Sequence, residues 1–195
     1  MSGYWKQLND EMSDVIQSVI PGLVQIQNGR GGAGAGTIWH PDGLIVTNAH
    51  VVGRHDLTVR LADGRTLPAR LLAHDTDLDL AALAVEGADL PTIRLGRSRH
   101  LHPGQLVLAL GHPWGVVGAA TAGVIIGMGP HPEGILQQRD FVQVDLPLRP
   151  GYSGGPLVDV HGRLVGINTM MNGPTVGLAV PVHEAKRFLK QRLGK

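Results

Sequence analysis

The chain contains no cysteine and has almost no excess of one charge sign. Without cysteine it can form no disulfide, no zinc site built from thiolates and no cysteine nucleophile. The 17 Lys and Arg against 16 Asp and Glu leave a formal net charge of +1, which argues against a surface made for nucleic acid. No stretch approaches 18 uncharged apolar residues, so the sequence predicts no membrane-spanning helix.

The N-terminal segment MSGYWKQLNDEMSD also lacks the features of a secretory leader. A leader has a basic start, an apolar run and a small-residue cleavage site, and this segment has none of them. We therefore expect a cytoplasmic protein. With 195 residues, 43% of them hydrophobic, the chain is long enough for one globular domain or two small fused halves.

Short apolar runs separated by turn residues fill the middle of the chain. About a dozen runs, from LVQIQ to VGLAVPV, alternate with turns such as PDG, ADG and VHG. This rhythm is typical of an all-β sandwich or barrel. The break GRSRHLHPG at residues 96–104 divides the runs into two sets of about six. We predict an all-β fold of two packed six-stranded antiparallel barrels, over about residues 21–97 and 104–182.

Helices are expected at the two ends of this single domain of residues 1–195. Apolar residues recur at helical spacing over about residues 3–20, and Pro21 ends the pattern. The second helix covers about residues 183–194 and carries four Lys and Arg for the solvent side.

The stretch GRGGAG, Gly29–Gly34, matches the glycine pattern of dinucleotide-binding loops. That pattern needs a helix directly afterwards, whose N-terminus receives the pyrophosphate. Here TIWHPDGLIVT follows, which indicates a strand, a turn and another strand. We therefore expect a flexible loop and no nucleotide.

Ser153 lies in the stretch RPGYSGGPLV, where a hydroxyl can stand clear of other side chains and backbone N–H groups can point at a substrate. Ser, Gly and Pro are also ordinary turn residues, so the motif alone leaves both interpretations open. A serine hydroxyl needs a general base to become a nucleophile, and histidine suits that role at neutral pH.

His50 is the strongest candidate base, because it ends the strand-like run LIVTNAH and is followed by VV, so we expect its backbone to be held by a barrel strand. An acid must orient its ring, and AHDTDLDLAALAV offers three aspartates. Their spacing of two places Asp75, Asp77 and Asp79 on one face of an extended strand. Asp79 directly precedes the apolar run and is expected to be the buried one, with the other two solvated.

The order of these residues separates two hydrolase classes. GYSGG also matches the G-x-S-x-G turn of α/β-hydrolases, but that fold places a helix after the serine and the histidine downstream. Here strands follow Ser153, and His50 and Asp79 both lie upstream. The order His, Asp, Ser is that of chymotrypsin-like double β-barrels.

The motifs TNAHVV, DLDLAALAV, GHPWG and FVQVDLPLRPGYSGGPLVDVHGRLVGINT resemble the HtrA/Deg family of trypsin-like serine proteases over nearly the whole chain. The resemblance implies a catalytic triad of His50, Asp79 and Ser153. It also implies an oxyanion hole made by the backbone N–H groups of Gly151 and Ser153. The expected activity is a serine endopeptidase that acts on unfolded or flexible polypeptides through an acyl-enzyme.

Three features depart from the pattern of the family. Tyr152 stands where HtrA proteins often have Asn, and it cannot pair with a new N-terminus as the acid of trypsin-type zymogens does. Pro150 precedes Gly151 and fixes its own φ, so we expect a stiffer oxyanion loop. The sequence ends at Lys195, just after the protease part, so we expect the PDZ domain common in the family to be absent.

The resemblance places the primary specificity pocket between residues 146–149 and 166–169. We take Pro147, Leu148, Arg149, Gly166, Ile167, Asn168 and Thr169 as its substrate-binding residues. Neither Pro147 nor Leu148 is a carboxylate, so an aliphatic residue is expected before the cleaved bond (P1). We expect no cofactor and no metal, since His100 and His102 have no partner cluster.

Two alternatives remain open from the sequence. One is a polypeptide-binding, chaperone-like module on the same fold with little turnover. The other is a resting protease that oligomer contacts or a partner activate. Tyr4 and Trp5 serve either a homotrimer contact, as N-terminal segments do in the family, or the core of their own domain.

Overall fold

The computed structural model describes residues 2–29, 33–53, 56–130 and 139–194. Half of the loop GRGGAG (residues 30–32) and most of GPHPEGILQQRD (residues 131–138 of 129–140) lie outside these ranges. Helix α1 spans Ser2–Val19, and a 3₁₀ turn over Ile20–Gly22 follows it. Met12, Val15 and Ile16 pack against the core from one face of α1, which is the face that the apolar spacing predicts.

The first six strands close into a barrel in the order β1-β2-β3-β6-β5-β4. All neighbouring strands within it pair antiparallel. The strands are β1 (Leu23–Gln27), β2 (Ala33–His40), β3 (Leu44–Thr47), β4 (Leu57–Arg60), β5 (Thr66–Asp75) and β6 (Leu80–Val85). Strand β2 includes Gly34, so a strand and not a helix follows the glycine-rich loop. The prediction that this loop binds no nucleotide is based on that arrangement.

The second six strands close into another antiparallel barrel, in the order β10-β11-β12-β9-β8-β7. Its strands are β7 (Leu106–Gly111), β8 (Ala119–Pro130), β9 (Asp140–Asp145), β10 (Pro156–Asp159), β11 (Leu164–Asn172) and β12 (Val176–Pro181). The predicted fold of two six-stranded barrels is thereby confirmed. The segment between them contains a 3₁₀ turn, Ser98–His100, where the sequence shows its break.

Each barrel has its own apolar core, and a third cluster fills the space between them. Residues from both barrels meet in that third cluster, among them Leu80 of β6 and Ile167 of β11. Helix α2 spans Val182–Leu193 and places Phe188 and Leu189 in the same cluster. Gly194, in the left-handed region at φ 70°, ends α2 and donates its N–H to the Lys190 carbonyl. The two barrels and α2 are therefore packed together through one shared apolar cluster.

Phe188→Ala tests how far this shared core depends on α2. Phe188 is fully buried, and loss of such a ring costs about 3–5 kcal/mol of unfolding free energy. Lys186→Ala on the exposed face of the same helix is the control, with an expected change near zero. Urea unfolding of both variants measures the difference, and equal stabilities would show that α2 does not support the core.

Candidate active site

His50 lies in a 3₁₀ turn, Ala49–Val51, directly after β3 ends at Thr47. The sequence predicted a histidine held by a barrel strand, whereas the structure places it just beyond the strand. Its side chain is 49% exposed, so the ring is accessible from solvent.

Asp79 lies on the turn between β5 and β6, with φ at 51°. The three aspartates therefore do not share one face of a strand, because β5 ends at Asp75 and β6 begins at Leu80. Asp75 accepts the Leu78 N–H and pairs with Arg192 of α2 at 3.1 Å, so it joins the helix to the barrel rather than facing solvent. Asp79 is 6% exposed, as expected for the buried acid.

The Asp79 carboxylate receives hydrogen bonds from both barrels. His50 Nδ1 lies 2.8 Å from Oδ2, and the His50 backbone N–H donates to Oδ1 at 3.1 Å. The Thr169 hydroxyl, on β11 of the second barrel, donates to Oδ2. The Asn48 amide donates to the Asp79 backbone carbonyl at 2.9 Å. These contacts fix the carboxylate and leave the far nitrogen of the His50 ring directed away from it.

Ser153 lies where the two barrels meet. Its carbonyl accepts the Ala35 N–H of β2 at 2.8 Å, and the next residue, Gly154, donates its N–H to the Asn168 carbonyl of β11 at 2.8 Å. A Cβ on Gly154 would lie 2.1 Å from the Ala35 carbonyl oxygen, and φ is 83° there. Only glycine fits where these two backbone segments approach so closely. Ser153 is therefore held in place by backbone contacts from its own residue and from Gly154 to both barrels.

The Ser153 hydroxyl donates to the Thr169 carbonyl at 2.9 Å. Within the described residues, no hydrogen bond joins this hydroxyl to the His50 ring. Catalytic hydrogen bonds are often long in structures without substrate and tighten only in the complex.

Residues Arg149 to Tyr152 form a tight turn in which the Tyr152 N–H donates to the Arg149 carbonyl at 3.0 Å. Gly151 has φ of 107°, which makes the turn type II, with Pro150 in the preceding corner. A Cβ on Gly151 would lie 2.5 Å from the His112 carbonyl oxygen, so a larger residue does not fit. Proline is favoured in that corner, because its fixed φ matches the turn.

Two backbone N–H groups in this loop have no acceptor among the described residues. The N–H groups of Tyr152, Gly154 and Gly155 each donate to a carbonyl, whereas those of Gly151 and Ser153 do not. An unpaired backbone donor is uncommon unless it is exposed or waits for a ligand. The loop therefore presents two free donors on either side of Tyr152.

The residues predicted to line a substrate pocket fall into two groups. Pro147 and Arg149 are exposed, and the Arg149 guanidinium lies over the Trp114 ring at 5.1 Å. Leu148 is buried, and its N–H donates to the Met171 sulfur at 3.1 Å.

Gly166, Ile167 and Asn168 are buried inside the second barrel and between the barrels. The Asn168 amide donates to the Pro156 carbonyl at 3.0 Å, so that side chain supports the segment that follows Ser153. Met170–Asn172, at the end of β11, are half-buried.

The hydroxyl of Thr169 is a functional contact that the sequence reasoning missed. It was assigned to a pocket wall, whereas it donates to Asp79 across 90 residues of sequence. No local pattern marks such a contact, since it exists only after both barrels have formed.

Comparison with known proteins agrees with this geometry. The trypsin-like peptidase domain family matches residues 34–167, and the chain belongs to that family. The relatives at the sequence level are HtrA-type serine proteases. A probable periplasmic serine endoprotease, DegP-like, of Chlamydia pneumoniae is 37% identical over 81% of this chain and 34% of its own length. Serine protease HTRA1 of Xenopus laevis is 33% identical over 92% of this chain and 42% of its own length.

Solved structures give the same result. The HtrA-type protease AlgW with a tripeptide is 33% identical and superposes with a TM-score of 0.85, covering 92% of this chain and 62% of its own. The same protease with a decapeptide is 28% identical with a TM-score of 0.86, covering 94% and 67%. The resemblance to HtrA proteases drawn from the motifs is confirmed. The chain spans less than half the length of the curated relatives it matches.

The predicted cytoplasmic location is wrong. Several relatives are named as periplasmic serine endoproteases, including one of Pseudomonas savastanoi pv. phaseolicola that is 40% identical over 81% of this chain. The absence of a leader-like segment in the first residues was a weak basis for the expectation. Neither helix in the described part of the chain is long and apolar enough to cross a bilayer.

Thr169→Val tests the contribution of the second barrel to the buried carboxylate. The substitution keeps the shape and removes the donor, which leaves an Asp79 oxygen less satisfied and costs about 1–3 kcal/mol of unfolding free energy. Thr169→Ser keeps the hydroxyl and is the matched control, expected to lie closer to wild type. Thermal and urea unfolding measure both, and a valine variant as stable as wild type would contradict the role given to the hydroxyl.

Proposed function

We propose that this protein is a serine endopeptidase in which Ser153 is the nucleophile, His50 the general base and Asp79 the residue that orients His50. Two observations carry the proposal: the N–H groups of Gly151 and Ser153 are free, and the His50 ring is bound through Nδ1 by the buried Asp79 carboxylate. A binding surface has no need for a histidine and a carboxylate paired in this way.

The chemistry follows from the roles of these groups. The Ser153 oxygen attacks the substrate carbonyl while His50 Nε2 takes its proton, and the negative charge develops on the carbonyl oxygen. Gly151 and Ser153 N–H donate to that oxygen, and loss of one such donor typically costs about 2.7–4 kcal/mol of transition-state stabilisation. His50 then protonates the leaving amine, and an acyl-enzyme remains on Ser153. Water, deprotonated by His50, releases the acid product and restores the hydroxyl.

Asp79 acts through His50. Because Nδ1 is bound to the carboxylate, the neutral ring keeps its proton there and leaves Nε2 as the acceptor. The carboxylate also stabilises the positive ring formed in the first step. Ser153 must rotate from the Thr169 carbonyl toward His50 for this step, which is a change of one side-chain torsion.

A resting or chaperone-like state is the second candidate, and the type II turn argues against it. A collapsed loop would turn the Pro150–Gly151 peptide over and would require a negative φ at Gly151. The positive φ and the proline both favour the turn in which the Gly151 N–H is free. We therefore place this protein among the enzymes whose oxyanion loop is formed before substrate arrives.

We propose unfolded or flexible polypeptides as substrates, since the neighbouring AlgW structures hold a tripeptide and a decapeptide. The location we propose is the periplasm or another extracytoplasmic space, following the names of the relatives.

Tyr4 and Trp5 are both exposed on α1, with their rings edge to face at 6.0 Å. An aromatic pair of this kind fits a contact between copies, and we propose a homotrimer through this segment.

Ser153→Ala tests the nucleophile. The variant is expected to lose labelling by a fluorophosphonate probe and to degrade unfolded casein about 10⁶-fold more slowly, because no other group can form the acyl-enzyme. Its unfolding free energy should change little, since the hydroxyl contributes one hydrogen bond.

Ser18→Ala on α1 is a matched control, because that exposed hydroxyl bonds only within its own helix. It should label and degrade casein like wild type. Labelling of the Ser153→Ala variant, or a wild type that is folded but not labelled, would overturn the assignment.

A second prediction concerns the residue before the cleaved bond. No carboxylate lies between residues 146 and 149, and Leu148 and Met171 give the nearby surface an apolar character. Burial of a guanidinium without a counter-acid is costly, so kcat/KM for a peptide with Val at P1 should exceed that for Arg by at least about tenfold. Matched fluorogenic peptides measure the ratio, and a preference for Arg would contradict the proposed pocket.

A further inference from the structure

The loop between β7 and β8 holds three apolar side chains out in solvent. Trp114 is 72% exposed, and Val116 and Val117, two and three residues further on, are exposed as well. The loop itself is tied down, since the Val116 N–H donates to the Pro113 carbonyl at 2.9 Å. Neighbouring apolar side chains that a fixed backbone holds outward are typical of a surface that binds another molecule.

The backbone at Trp114 supports this interpretation. Its φ of 52° and ψ of 28° lie in the left-handed region, which is uncommon for a bulky residue. Such conformations persist where the surrounding structure requires them, and they cluster at binding and catalytic sites. Trp114 belongs to none of the apolar cores, so packing does not account for its conformation.

Arg149 supplies a positive charge to the same surface. Its guanidinium lies over the Trp114 ring, 5.1 Å from the ring centre, which is within the range of a cation–π contact. Stacking occupies one face of the guanidinium and leaves the N–H groups along its edge for an acceptor. Within the part of the chain that the structure describes, Arg149 forms no ion pair. We call the exposed side chains of Trp114, Val116, Val117 and Arg149 the Trp114 surface.

The order of the strands places this surface on one side of Ser153. Strand β10, which follows the serine, pairs antiparallel with β7 along one edge and with β11 along the other. The ends of β7 and β11 therefore flank the loop that carries Ser153. On the β7 side, the His112 N–H donates to the Gly151 carbonyl at 2.9 Å. On the β11 side, the Gly154 N–H donates to the Asn168 carbonyl at 2.8 Å.

A bound substrate crosses this loop, and the direction in which it does so rests on the proposed function. The proposed pocket places the residue before the cleaved bond against β11 and residues 146–149. The chain after the bond then leaves toward the opposite side, where the Trp114 surface adjoins the Gly151 turn. A Cβ on Gly151 would lie 2.7 Å from the Pro113 Cα, so the turn and the loop after β7 are in direct contact.

We propose that the Trp114 surface binds the segment of a polypeptide substrate that follows the cleaved bond and that it selects an acidic side chain there. The carboxylate of Asp or Glu accepts from the Arg149 guanidinium, and such charge-assisted bonds are stronger than those between neutral groups. Apolar atoms of the same segment lie against Val116 and Val117. Arg149 precedes Ser153 by four residues on a tight turn. Because an extended chain advances about 3.3 Å per residue, the acidic position is among the first few residues after the bond.

Binding is tested in Ser153→Ala protein, which does not cleave the ligand. The probes are the capped peptide acetyl-Ala-Ala-Val-Ala-Glu-Ala-amide and the same peptide with Gln in place of Glu. The indole N–H signal of Trp114 in ¹⁵N-labelled protein reports the site, and Trp114→Phe identifies that signal among the three tryptophans. We expect a saturable shift and a Kd about three- to fivefold lower for the Glu peptide, the size typical of an exposed ion pair. Equal affinities, or no shift of the Trp114 signal, would overturn the proposal.

The direction of the substrate is tested by moving the acidic residue. The peptide acetyl-Ala-Glu-Val-Ala-Ala-Ala-amide carries Glu before the bond, on the β11 side. It should bind like the Gln peptide, because its carboxylate lies away from Arg149. A gain as large as that of the first Glu peptide would contradict the placement of the Trp114 surface after the bond.

Arg149→Gln removes the charge and keeps the turn, whose hydrogen bond uses the Arg149 backbone carbonyl. This variant should bind the Glu and Gln peptides with about equal affinity, because the ion pair is lost. Arg70→Gln is the matched control, since Arg70 is an exposed arginine of the first barrel, and it should keep the preference for Glu. Calorimetric titration of both variants in Ser153→Ala protein measures the ratio. A preference that survives in Arg149→Gln would overturn the proposal.

Turnover separates this inference from the proposed function. With Ser153 intact, fluorogenic forms of the Glu and Gln peptides should differ about three- to fivefold in kcat/KM. Equal cleavage of the two peptides would overturn the selection of an acidic residue and leave the endopeptidase unaffected. A protein that prefers the Glu peptide at Trp114 but cleaves neither peptide would count against the proposed function alone.

Discussion

The arrangement of the site depends on one buried carboxylate that both barrels satisfy. Asp79 stands on a turn of the first barrel and accepts from His50 of the same barrel and from Thr169 of the second. A buried carboxylate is tolerated only when its oxygens are hydrogen-bonded. The stability of the ionised Asp79 side chain therefore depends on the packing of the two barrels against each other. The position of the His50 ring is therefore a consequence of the tertiary structure rather than of its own 3₁₀ turn.

The conformation of the loop around Ser153, residues 149–155, depends on a second constraint, which is steric. Gly154 lies against the Ala35 carbonyl and the Thr47 hydroxyl, and Gly151 lies against the His112 carbonyl, with positive φ at both. These close approaches place the loop between the barrels. The Gly154 N–H bonds to the Asn168 carbonyl, and the N–H groups of Tyr152 and Gly155 bond to carbonyls within the loop. The donors that remain are those of Gly151 and Ser153. The free donors at Gly151 and Ser153 thus follow from the close approach of backbone to backbone, which glycine alone permits.

Sequence reasoning reached the fold because strand rhythm, turn residues and the mid-chain break are local signals. It predicted His50, Asp79 and Ser153 as the triad through chain order and motif. The contacts that it missed are non-local: the Thr169 hydroxyl on Asp79, the pairing of Asp75 with Arg192, and the burial of Ile167 and Asn168 between the barrels. It also treated the three aspartates as one strand face, because a turn with a positive φ at Asp79 leaves no mark in residue spacing. The cytoplasmic location was inferred from an absent signal and proved wrong.

The central claim is that Asp79 works by holding the His50 ring, and Asp79→Asn tests it most directly. The amide has the same size but can hold the neutral ring in the wrong tautomer, with the proton on Nε2. The measurement is the second-order rate of reaction with a fluorophosphonate probe, in variant and wild type of equal folded fraction. A fall of about 10⁴-fold is predicted. A variant that reacts within about tenfold of wild type would contradict the account, because Ser153 would then be activated without this carboxylate.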